Sequence, residues 1–141
     1  MTGHLITHKQ RLLAYGGLGA ALLVLLYSGS YFFSPFSEFT SLLLLNGLVV
    51  LAALACALIL SRVVAFFEPG EPPRQVWFFF AAALWMWVAA ELIWAIYNLR
   101  LGEVPNFSVA DLLWAGAYIF FTAAMSSQFR LIFFDRSQRP T

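Results

Sequence analysis

The chain has 141 residues, of which 62% are hydrophobic and 11% charged, against roughly 45–50% and 25% in a soluble domain. With a mean hydropathy of +0.81 it is too apolar for water and reads as a protein whose solvent is lipid. Eight basic residues against seven acidic ones argue against nucleic acid as a partner. The single cysteine, Cys56, excludes an intrachain disulfide, a CxxC redox pair and a cysteine zinc site.

In chain order, a short polar tail carrying His4, His8, Lys9 and Arg11 leads into a first apolar run, Leu12 to Phe33. That run is long enough to read as an uncleaved membrane anchor rather than a signal peptide. Ser34-Pro35 breaks it. Apolar character resumes for a second helix over 39–64, whose Arg62 lies near the far interface, within snorkelling reach of it. Pro69 to Arg74 reads as a stiff polar connector that cannot continue a helix.

A third helix is expected over 76–99 and a fourth over 108–129, joined by the short Arg100 to Phe107 loop as a hairpin. Ser108 followed by Asp111 has the spacing of a capping box. The serine would accept from a first-turn amide, and the acid would sit at the positive end of the helix dipole. The fold class is therefore all-α, an integral membrane four-helix bundle forming a single domain over residues 1–141.

Basic residues set the orientation. Lys9, Arg11, Arg62, Arg74, Arg130, Arg136 and Arg139 fall at one side of these spans and only Arg100 at the other. By the positive-inside rule both termini and the Pro-rich connector face the cytoplasm of a bacterial inner membrane.

Several chemistries lack their residues. No histidine lies within a span, which argues against bis-histidine haem, and Lys9 is the only lysine, so no buried Schiff base is available. No nucleophile–histidine pair, metal-ligand cluster or phosphate-binding glycine loop is visible, so neither an enzyme nor a bound metal or cofactor is expected.

The exception to apolarity is Glu91, set among Trp87, Trp94 and Asn98 on one helical stripe. An ionised acid at the bilayer centre costs roughly 2.5–3.5 kcal/mol, so it should face protein or water. The fourth helix carries a matching stripe of Asp111, Trp114 and Tyr118. Because helical side chains lean towards their own N-terminus, the Tyr118 hydroxyl is expected to approach the Glu91 carboxyl. Glu91, Trp94, Asn98, Asp111, Trp114 and Tyr118 would then form a polar-aromatic pocket in the outer leaflet. The competing account is structural: intramembrane hydrogen bonds commonly just hold helices together, and interfacial tryptophans are ordinary anchors.

Small residues mark close-packing faces. Gly16, Gly17, Ala20 and Ala21 do so on the first helix, and Ala52, Ala53, Ala55 and Cys56 on the second.

The run Glu91-Leu92-Ile93-Trp94, followed by Gly102-Glu103-Val104-Pro105-Asn106-Phe107-Ser108-Val109-Ala110-Asp111-Leu112-Leu113-Trp114, resembles the multi-helix membrane sensor domains that precede bacterial diguanylate cyclase or histidine kinase output domains. Glu91, Trp94, Pro105, Ser108 and Asp111 carry the likeness, which covers about the last third of the chain. It implies a sensing role for that hairpin.

Two functions follow as expectations. The first is a noncatalytic accessory, interaction or sensory subunit whose partners are the lipid bilayer and other membrane protein subunits or further copies of itself. The second is an oligomeric proton-coupled small transporter using Glu91.

Overall fold

The computed structural model describes residues 2–33, 36–102 and 105–137, and among them all regular structure is α-helical. The helices are α1 (Thr2–Phe33), α2 (Glu38–Ala65), α3 (Pro72–Leu101) and α4 (Val109–Ser137). At 28 to 32 residues each, they are about 42–48 Å long, against roughly 30 Å of hydrocarbon. Their apolar segments, Leu13–Phe33, Glu38–Ala65, Pro72–Leu101 and Val109–Phe133, are all long and apolar enough to cross a membrane. The protein is a multi-pass, all-α membrane protein.

The helices outrun the apolar stretches at several ends. α1 starts at Thr2 and α4 continues to Ser137, because hydropathy marks where lipid stops while polar residues such as Lys, Arg and Gln continue a helix readily. The Pro-rich connector corrects an expectation. Pro72, Pro73 and Arg74 belong to α3, with proline in its first two positions. First-turn amides have no acceptor inside a helix, so a missing N–H there costs nothing, and proline's φ already suits the helix.

The remaining turn is tight. Glu71 N–H donates to the Glu68 carbonyl at 3.2 Å, with Pro69 and Gly70 between them and Gly70 at φ 98°. That is the residue pattern of a type II turn, in which the third position needs positive φ. α3 stops for a related reason, since Gly102 takes the left-handed conformation (φ 67°) that ends helices.

The chain divides into two compact units, residues 1–48 and 49–141. The first contains α1 and the opening turns of α2. There Ser37 caps α2: its Oγ receives the Thr40 N–H at 3.4 Å and lies 2.8 Å from Thr40 Oγ1. Glu38 stands in that first turn, at the positive end of the dipole.

In the second unit α3 packs antiparallel on α4. The seam on α3 is Val76, Phe80, Ala83, Trp87, Ala90 and Trp94, and on α4 it is Ala110, Trp114, Ala117, Phe121 and Ala124. Both alternate steps of three and four residues, the 3.5-residue period of a left-handed supercoil. Val76 and the five alanines of the seam are at most 1% exposed, while its aromatics are half-buried. Phe80 meets Phe121 (ring centroids 6.1 Å apart) and, one heptad along, Trp87 meets Trp114 (6.4 Å). Small residues let the backbones approach and large rings fill the space between. In lipid such packing must replace the hydrophobic drive that water would supply.

A second face of α3 carries Ala81, Val88 and Ala95, again seven apart and all buried. Trp85, between the first two, donates its indole N–H to Ser61 Oγ of α2 at 3.0 Å. That hydroxyl in turn donates to the Ala57 carbonyl at 2.8 Å.

Candidate functional site

The hairpin seam positions the residues singled out from sequence. Trp87, Glu91, Trp94 and Asn98 occupy successive turns of α3 at steps of four, three and four, so they share a stripe along the edge of the seam. Asp111, Trp114 and Tyr118 do the same on α4. The structure brings the tryptophans together: Trp94 and Trp114 have ring centroids 5.3 Å apart with planes at 53°.

Trp87 is the hub. Its ring meets Trp114, meets Tyr118 edge-on at 5.6 Å and 80°, and meets Phe121 at 6.4 Å. Sequence reasoning placed Trp87 on the Glu91 stripe but left it out of the pocket. The heptad 80-87-94, set against 114 and 121, was the signal for it, and it becomes visible only when the two helices are paired in antiparallel register.

The polar groups are more dispersed than expected. Asp111 is held at the head of α4, where its Oδ2 accepts from the Ser108 N–H at 2.7 Å and from the Ser108 hydroxyl at 2.9 Å. The serine hydroxyl thus donates to the acid instead of accepting from a first-turn amide, and Ser108 is buried in doing so. Asn98 is half-buried and already engaged. Tyr118 is 59% exposed, with its ring against Trp87 and no hydrogen bond from its hydroxyl to Glu91.

Glu91 is half-buried and makes no side-chain hydrogen bond or ion pair with the described residues. The α4 stripe holds a buried donor that also lacks a partner among the described residues. Trp114 Nε1 is buried without an acceptor, and its ring touches both Trp87 and Trp94, the residues four before and three after Glu91. A buried unpaired donor costs about 1–3 kcal/mol. The hairpin therefore carries an enclosed indole donor on α4 and a half-buried carboxyl group on α3, neither with a side-chain partner among the described residues.

No family model matches the chain, and no curated protein or solved structure is similar to it.

Proposed function

We propose that the chain is a noncatalytic accessory or sensory subunit of a bacterial inner membrane, working by packing against other membrane protein subunits or further copies of itself. The observation that carries this reading is on α1. Within its own unit, a Cβ built at Gly16, Gly17 or Gly19 would meet nothing within 4 Å, and Leu18, Leu22, Leu25 and Leu26 alongside are more than half exposed. Glycine weakens a helix unless its missing side chain is used, and in membranes that use is close approach by a neighbouring helix. Seven of the eight basic residues fall at one set of helix ends, which supports cytoplasmic termini.

The α3–α4 hairpin, with its tryptophan cluster of Trp87, Trp94 and Trp114, is the rigid element of such a subunit and its sensing surface. Extraction from native membranes in mild detergent, followed by mass measurement, tests the reading. A complex heavier than the 15.8 kDa chain is expected; a bare monomer with no crosslinked partner contradicts it.

One observation favours a second reading, that of an oligomeric proton-coupled transporter: Glu91 is a half-buried acid within α3 without a side-chain partner among the described residues. Intramembrane acids of this kind mark proton and substrate paths. Proton-driven flux in proteoliposomes that is lost in Glu91→Gln would promote it; absence of flux in the unaltered protein removes it.

A further inference from the structure

The start of α3 carries an open cleft of about 510 Å³, lined by Gly70, Glu71, Pro72, Arg74, Gln75 and Phe78. Its volume is within the ~300–1,000 Å³ typical of small-molecule sites. It contains one cation and one anion that do not pair with each other. Arg74 is half-buried, and its guanidinium makes no ion pair with the described residues. Glu71 turns its Oε2 back to accept the Glu68 N–H at 3.0 Å. The α3 N-terminus adds little attraction for an anion, since Pro72 and Pro73 have no N–H to offer and the Arg74 N–H is spent on the Glu71 carbonyl at 3.0 Å.

The third component is apolar. Phe78 lies one helical turn beyond Arg74 into the spanning segment and is 55% exposed. A ligand seated here meets a guanidinium and a carboxylate at its polar end and, one helical turn further along α3, an exposed aromatic ring.

We propose that this cleft binds a phospholipid with a zwitterionic phosphoethanolamine headgroup, its phosphate on Arg74 and its primary ammonium on Glu71. A purely anionic headgroup would satisfy Arg74 but meet the Glu71 charge unfavourably. A quaternary ammonium would keep the charge but lose the N–H donors that a carboxylate accepts. Free phosphoethanolamine lacks the acyl chains that Phe78 would contact, which selects the lipid as the source.

The test is native mass spectrometry of the full chain, delipidated and presented with phosphatidylethanolamine, phosphatidylcholine or phosphatidylglycerol of identical acyl chains, with free phosphoethanolamine as a further arm. Phosphatidylethanolamine should be retained roughly tenfold more than the other lipids, the scale of one charge-assisted hydrogen bond, and free phosphoethanolamine not at all. Arg74→Ala should abolish the preference. Glu71→Gln should move it towards phosphatidylglycerol, a gain that a misfolded variant cannot mimic. Equal retention of the three lipids, or a Glu71→Gln variant whose order of preference is unchanged, overturns the proposal.

Discussion

Trp87→Ala is the most informative single substitution in the hairpin, because this one ring touches three residues of the opposite helix. The ring centroids lie 6.4 Å from Trp114, 5.6 Å from Tyr118 and 6.4 Å from Phe121. At about 0.5–1.5 kcal/mol per aromatic pair, their loss is worth roughly 1.5–4.5 kcal/mol. Burial from water adds little when the separated helices are still in lipid. Trp94 has a single ring contact across the seam, to Trp114, so Trp94→Ala should cost about 0.5–1.5 kcal/mol. Phe78 is 55% exposed and among the described residues pairs only with Phe79 of its own helix, so Phe78→Ala should stay within about 0.5 kcal/mol. The assay is a mixed-detergent unfolding titration of the full chain, followed by energy transfer between dyes at the open end of the hairpin. The expected order of destabilisation is Trp87, then Trp94, then Phe78. Equal losses at Trp87 and Phe78 would show that the seam is not what holds α3 to α4.

Three further outcomes follow from the same geometry. Asp111→Ala removes an acceptor that takes two hydrogen bonds from Ser108; it should cost about 1 kcal/mol in the same titration and speed hydrogen exchange in the first turn of α4. Gly102→Ala forces a side chain into the left-handed conformation at φ 67°, and should cost about 1–2 kcal/mol, read as a lowered melting temperature in detergent. At Gly116 an added Cβ would collide with the Met86 methyl and lie 3.4 Å from its Sδ. Because a methionine tip swings aside readily, Gly116→Ala should cost less than about 1.5 kcal/mol, while Gly116→Leu should exceed it; comparing the two midpoints checks this.

The spans were legible in the sequence because lipid demands about twenty apolar residues in a row, and the stretches from Leu12, Phe39, Val76 and Ser108 meet that demand. Helix ends were less legible. Hydropathy does not register the polar residues that prolong α1 and α4, and Pro72-Pro73 reads as a helix breaker until its place in the first turn is known. The stripe holding Glu91 and Trp94 could be found from one helix, as could that of Trp114 and Tyr118. Which members meet depends on the relative register of α3 and α4. For that reason Trp87 proved central and Tyr118 turned its ring to Trp87, whereas Asp111 serves its own helix end through a local contact that its spacing from Ser108 already implied. The unpaired Trp114 indole is beyond any one-helix reading, because a side chain's lack of partners belongs to the packed pair.

The central claim is that α1 offers its glycine face to another protein. A photoreactive residue placed at position 16 or 19, activated in native membranes, tests it most directly, with the same probe at seam position 117 as the internal control. The account predicts a discrete adduct with a protein partner or a second copy from positions 16 and 19, and none between chains from position 117. Adducts with lipid alone from both α1 positions would contradict it.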